Sequence, residues 1–203
     1  MRGETMWIFG QMPRSSGVFI DVGANIGTQT LYALKFGGFE SAICFEPVPK
    51  NARLLRLNMH LNGLSEKVTV IEAAAGSSKG SASLSLNAFN RGAHSLVRDN
   101  QGERIQVDVV VVEEELATLG ISPEEIGLAW IDVEGFEAEV IKGWPSLKGV
   151  PLALECSPST PDFPLEFLSS YQKWALVDER TPWRAIDTLN PSSFTQQVDL
   201  IFA

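Results

Sequence analysis

Val18-Phe19-Ile20-Asp21-Val22-Gly23-Ala24-Asn25-Ile26-Gly27 is the stretch that decides the fold. Its first five residues are β-branched or aromatic around a single acid, the composition of a buried strand, and the run stops at Gly23. Residues 28–36 follow with Leu31 and Leu34 at helical spacing, and Gly37-Gly38 closes that helix. Working outward, residues 41–45 form a second apolar run closed by Glu46-Pro47. Residues 49–61 carry Leu54, Leu57 and Leu61 at three- and four-residue steps up to Asn62-Gly63, and residues 68–71 are a third strand. Strand, helix, strand, helix, strand within the first 75 residues predicts a parallel sheet with helices on both faces and right-handed crossovers.

The rest of the chain continues this α/β order after one interruption. Residues 81–86 alternate small polar and apolar side chains like an exposed strand. Residues 87–104 are polar and rich in Gly, Asn and Arg, a long loop of the kind that usually serves function. Strands are predicted at 105–112, 128–132, 151–155, 174–177 and 198–202, and helices at 113–119, 136–144 and 164–173. With no internal repeat and no low-complexity linker, residues 1–203 read as one domain with about seven core strands, preceded by a short lead at 1–16.

Composition narrows the class. A single domain of 203 residues buries enough surface to fold without metal or disulfide staples. Hydrophobic residues at 44% and charged residues at 20% argue against wholesale disorder. A net charge of −9 repels phosphate backbones and anionic lipid, so a nucleic-acid partner is not expected. No apolar run is long enough to span a bilayer, and the first dozen residues lack the apolar stretch of a signal peptide. Cys44 and Cys156 sit in apolar runs and read as buried thiols of a reducing compartment, so a cytoplasmic location is expected.

The candidate chemistry lies where strands end and helices begin, the place where open α/β sheets bind ligands. The dinucleotide fingerprint would need glycine at 25 and 28, but Asn25 and Thr28 stand there. Asp21 in the turn suits a cationic amino group better than a phosphate. Glu46, at the end of the second strand and 25 residues after Asp21, is placed to accept ribose hydroxyl hydrogens. A glycine turn and a strand-end acid also occur as plain architecture; together they specify an adenosine-like ligand. NAD and S-adenosylmethionine both fit, and the degenerate glycine pattern favours S-adenosylmethionine.

These residues resemble the FkbM family of S-adenosylmethionine-dependent methyltransferases. The resemblance rests on residues 19–27, Phe45-Glu46-Pro47, Ala73-Ala74-Ala75-Gly76, residues 90–96, Trp130-Ile131-Asp132-Val133-Glu134-Gly135-Phe136-Glu137, and Leu154-Glu155. It implies a Rossmann-like class I fold with a seven-stranded, mostly parallel sheet and an antiparallel last strand. It also implies S-adenosyl-L-methionine as cofactor and methyl transfer to a hydroxyl of a small-molecule acceptor such as a sugar, lipid or polyketide. Carried over by position, Asp21, Gly23, Asn25 and Gly27 would line the methionine side of the cofactor. Glu46 would bind the ribose, Ala74 and Gly76 would admit the adenine, and Asp132 and Glu134 would face the methyl group.

A hydroxyl is a poor nucleophile while protonated, so a general base is expected. Asp132, Glu134, Glu155 and His94 are the candidates; His60, at a helix end, reads as structural. Oxygen ligands would suit magnesium or calcium, but the carboxylate spacing does not demand a metal. Trp130 and Trp144 read as core, Trp183 as a candidate acceptor wall, and Arg91 and Arg98 as solvated loop residues. Two alternatives stay open: a catalytically silent domain of the same fold that binds the cofactor or a partner, and an NAD-dependent oxidoreductase.

Overall fold

The computed structural model describes residues 17–86, 96, 103–156, 167, 171, 173–175, 184–185 and 198–202. β1 (Val18–Val22) leads through the glycine turn into a helix, Thr28–Tyr32, that passes into a π-helical turn, Ala33–Gly37. β2 (Ser41–Phe45), the helix Pro49–Leu61 and β3 (Val68–Ile71) follow. The chain continues through β4 (Ala74–Ala75), β5 (Gly80–Ser85), β6 (Arg104–Val110), the helix Val112–Thr118 and β7 (Ile126–Ile131). The helix Glu137–Lys142, β8 (Leu152–Cys156), β9 (Lys173–Ala175), β10 (Arg184–Ala185) and β11 (Val198–Phe202) complete it.

The main sheet has the order β10-β9-β11-β8-β7-β1-β2-β3. β3, β2, β1, β7 and β8 pair in parallel, and β11 runs antiparallel between β8 and β9. Winding runs outward from β1 to β3 in one direction and from β7 to β8 in the other. The strand order therefore reverses between β1 and β7, which opens a crevice at their carboxyl ends. All five residues of β1 are buried because both sheet faces are covered. Val18, Ile20 and Val22 enter one core cluster with Val112, Val140 and Trp144. Phe19 enters the opposite one with Ala33, Leu55, Met59 and Trp130.

Several expectations change. Among the described residues the main sheet has eight strands, not seven. β5 and β6 leave it to form a second, three-stranded sheet with β4. The alternating residues 80–85 find their partner in the β-prone run at 104–110, so a hydrophobic run that looked like a core strand became one side of a ribbon. The helix 136–144 shortens to Glu137–Lys142. The helix expected at 164–173 lies outside the described residues except for Phe167, Tyr171 and the first residue of β9.

The helix Pro49–Leu61 has the expected bounds but the opposite facing. Leu54, Leu57 and Leu61 are 36%, 49% and 72% exposed, while Asn51, Ala52, Leu55 and Met59 face inward. The cause lies in the packing partner. Gly27 has no side chain, so Leu55 and Met59 come close enough that an added Cβ would sit 2.9 Å and 3.0 Å from their carbons. Among the described residues no helix is long and apolar enough to cross a membrane.

Gly23 is the tightest backbone contact of this crevice. Its φ is +89°, and a Cβ there would lie 1.9 Å from the Asp132 carbonyl oxygen. Gly38 has a similar φ of +83° but open space around it. Gly38→Ala should therefore cost only the left-handed backbone penalty, about 1–2 kcal/mol. Gly23→Ala should cost about 4 kcal/mol or more, because rigid backbone must move. Urea denaturation of both variants checks this; equal losses would show that the β1–β7 approach is not the constraint.

Candidate functional site

A cleft opens at the carboxyl ends of β1, β2 and β7. Its floor begins with the glycine turn. Gly23 N–H and Ala24 N–H both donate to the Phe45 carbonyl, at 3.0 Å and 3.1 Å, and Gly27 N–H donates to the Ala24 carbonyl at 2.8 Å. Asn25 N–H donates to Glu46 Oε2 at 2.8 Å. Asn25 itself has φ +51°, the left-handed conformation that the fingerprint glycine would supply. Asparagine adopts that region more readily than other side chains, so the turn keeps its shape without the glycine.

Glu46 is buried at the end of β2 and lines the cleft. Its other oxygen, Oε1, accepts the Val48 N–H at 2.9 Å and Asn51 Nδ2 at 3.4 Å. Burial raises its pKa, and the three donors oppose that rise. Ala73, Ala74 and Ala75 form an adjoining wall with Val48, Leu84 and Leu96, a narrow apolar slot made where the second sheet meets the first. Across the cleft stand Asp132, Val133 and Glu134. Glu134 has φ +52° and Gly135 +98°, an unusual pair for the chain just past a strand. Glu137 supports this turn: fully buried, its Oε1 accepts the Gly135 N–H at 3.0 Å and the Val133 N–H at 3.3 Å.

The structure thus brings Gly23, Asn25, Glu46, Ala74, Asp132 and Glu134 together in one cleft. Three other candidates lie behind it. Gly27 packs under the helix Pro49–Leu61. Gly76 is buried where a Cβ would meet Val109 at 2.9 Å and Phe136 at 3.3 Å. Asp21 is 1% exposed beneath the turn. Thr30 Oγ1 donates to its Oδ2 at 2.5 Å and lies 3.1 Å from Cys44 Sγ. Burial holds the Asp21 carboxyl up at about 7, with the Glu46 charge adding to the rise and Thr30 opposing it. Burial likewise raises the Cys44 thiol, which makes it unreactive. His94, Arg91, Arg98, Trp183 and the side chains of Glu155 and Cys156 lie outside the described residues.

The sequence reading missed Val48, Asn51, Leu84 and Leu96 as cleft residues, and Glu137 as the support of the Glu134 turn. One signal was present. Asn51 is a polar residue of poor helix propensity in the first turn of a helix, a place where such side chains bond to nearby groups; the structure adds that it is buried, which asks for a polar partner.

Comparison with known proteins adds the family. Residues 21–179 match the sequence profile of the methyltransferase FkbM domain. No curated protein matches the chain. Among solved structures, a methyltransferase FkbM from Methylobacillus flagellatus KT superposes with a TM-score of 0.58 at 19% identity, over 93% of this chain and 44% of that one. This chain therefore spans less than half of that protein's length. A SAM-dependent O-methyltransferase from Thermotoga maritima matches with a TM-score of 0.52 at 15% identity, over 98% of this chain and 64% of that one. A Streptococcus pneumoniae protein named as a candidate tRNA (m1A22) methyltransferase, solved in complex with S-adenosyl-L-methionine, matches with a TM-score of 0.51 at 14% identity, over 99% of this chain and 72% of that one. At such identities the likeness is one of fold, a methyltransferase-like α/β fold with a mostly parallel central sheet.

Asp21 makes a pH prediction. Its carboxyl titrates near 7 when folded and near 3.8 in its ordinary state, so between those values the folded chain binds more protons than the unfolded one. Its contribution to stability is present below about pH 4 and is lost as pH rises through 7. Asp21→Asn should flatten this loss, and the melting temperature of the variant relative to the parent should climb from pH 5 to pH 8. A difference that does not change with pH would mean that Asp21 titrates normally.

Proposed function

This chain belongs to the FkbM methyltransferase family, and on that premise we propose that it transfers a methyl group from S-adenosyl-L-methionine to a hydroxyl of a small molecule. The observation that carries the cofactor choice is the hydrogen bonding of the glycine turn. A pyrophosphate-binding turn must present free amides to the phosphates. Here the amides of Gly23, Ala24, Asn25 and Gly27 are taken by chain carbonyls and by the Glu46 carboxylate. Glu46, Asp132 and Glu134 line the cleft, and no Lys or Arg does so among the described residues. That charge suits a sulfonium and an ammonium, and it opposes a dinucleotide. The apolar slot at Ala73–Ala75 and Leu84 fits an adenine ring, and Glu46 fits a ribose.

Bound there, S-adenosyl-L-methionine supplies an electrophilic methyl group. The acceptor oxygen forms a bond to the methyl carbon as the carbon–sulfur bond breaks, which leaves S-adenosylhomocysteine and a proton. The work of the chain is to align the three atoms and take up that proton. Asp132 and Glu134 stand opposite Glu46, on the far wall of the cleft, and are assigned to the methyl end. Glu137 would hold their turn in its left-handed conformation. His94 and Glu155 remain proposed members of the acceptor side. The acceptor class (a sugar, lipid or polyketide hydroxyl) and a cytoplasmic location belong to the same proposal.

Calorimetric titration with S-adenosylhomocysteine, with NAD as the control, tests the reading: micromolar binding of the first alone is expected. Binding of NAD alone would replace the reading with the oxidoreductase, and binding of neither would remove it. Glu134→Gln should lower turnover at least tenfold with cofactor affinity nearly unchanged. Full turnover in a folded variant would strike Glu134 from the reaction.

A further inference from the structure

One helical layer of the molecule differs in charge from the rest. The helix Pro49–Leu61 and the helix Thr28–Tyr32 with its π-helical turn cover the same sheet face, since Ala33, Leu55 and Met59 share one core cluster. Asn58 Nδ2 also donates to the Ile26 carbonyl at 2.8 Å and ties the two together. Residues 24–39 and 49–61 contain Lys35, Lys50, Arg53 and Arg56 and no acid, in a chain of net charge −9. The acids that flank these segments are Asp21 and Glu46, both buried, and Glu40 and Glu66 at the borders; Glu72 pairs with Arg56 at 3.0 Å. On the opposite sheet face, the helices Val112–Thr118 and Glu137–Lys142 carry Glu113, Glu114, Glu115, Glu137 and Glu139 against one cation, Lys142.

The acid-free layer also holds most of the large apolar side chains that stay exposed among the described residues: Ile26, Phe36, Leu54, Leu57 and Leu61. Such residues are ordinary when scattered. Here Lys50, Leu54, Leu57 and Leu61 are all exposed and recur at three- and four-residue steps, so they form one row along the helix. That row stands on the ridge of the helix, outside the recess that Arg56, Met59 and His60 line beside β3.

We infer that this layer is an interaction surface for an anionic lipid boundary. Phe36, Leu57 and Leu61 enter the headgroup region, and Lys35, Lys50 and Arg53 meet lipid phosphates. Charge selects that partner. The chain as a whole is repelled by an anionic surface, but its cations and acids lie on opposite faces, so the field turns the acid-free layer toward the lipid. Shape selects it too. A peptide or helix partner is gripped by a groove, whereas a protruding leucine row edged by Lys and Arg is what an interfacial helix presents. This surface goes beyond the methyltransferase reading and does not depend on it.

Flotation of the unaltered chain with vesicles is the test. Binding to vesicles of phosphatidylcholine and phosphatidylglycerol in equal parts should be about tenfold tighter than to phosphatidylcholine alone, and it should weaken as salt rises from about 50 to about 500 mM. Leu57→Ser/Leu61→Ser should weaken the binding about tenfold. Lys50→Gln/Arg53→Gln should remove most of the preference for the anionic vesicle. All four positions are exposed, so both variants should melt close to the parent. Absence of vesicle binding, equal binding to the two vesicle types, or binding that either variant leaves intact overturns the assignment. Two other outcomes also overturn it. A dimer in sedimentation velocity that Leu57→Ser/Leu61→Ser dissolves, without vesicle binding, gives the face to a second copy. Binding of a synthetic acidic, leucine-bearing peptide in place of vesicles gives it to a protein partner.

Discussion

The buried carboxylate of Glu46 joins three parts of the molecule that must meet for the cleft to exist. One oxygen holds the glycine turn through Asn25 N–H, and the other holds the start of the next helix through Val48 N–H and Asn51. A carboxylate out of water is costly unless hydrogen bonds replace its hydration. The three donors supply that replacement, and in doing so they fix the turn, the end of β2 and the head of the helix Pro49–Leu61 relative to one another. Gly23 then lets the Asp132 backbone close against the turn from the β7 side. The far wall of the cleft is positioned by that contact.

Charge follows from the same arrangement. The amides that would make a glycine turn attractive to phosphate face inward, onto a carbonyl and a carboxylate. What faces the cleft among the described residues is acidic on two sides and apolar on a third. A fold shared by many ligand types is thereby biased against an anionic ligand at this cleft. The bias comes from where hydrogen bonds end, not from the topology of the sheet. Asp21 adds to it less directly than its place in the turn suggested. It sits under the turn against Thr30, where burial holds its carboxyl up at about 7, and it touches the cleft only through the structure above it.

Where local chemistry is strong, the sequence was readable. Val18–Val22 and Ser41–Phe45 are short β-prone, mostly apolar strands whose bounds needed no tertiary information, and Pro49–Leu61 starts with proline and ends before Asn62-Gly63. Reading failed where a residue's environment is made by distant chain. The three leucines of the helix Pro49–Leu61 look like a core stripe, yet the side facing Gly27 and the sheet carries Leu55 and Met59 instead. Residues 80–85 and 104–110 look like members of one large sheet. They pair with each other because each offers the other a free edge.

From the sequence alone came the parallel α/β order, the glycine turn with Glu46 after the next strand, and the FkbM likeness. All of these depend on residues near one another in the chain, whose spacing is set by the periods of strand and helix. Only the tertiary structure decided which candidates share a cleft. Gly27 and Gly76 turned out to be packing glycines, Asp21 an under-turn acid, and Asn51 a cleft residue. Those assignments depend on which side of an element faces a partner far away in sequence. That is settled by how side-chain volumes and buried hydrogen bonds fit together once the sheet is assembled, and no local pattern encodes it.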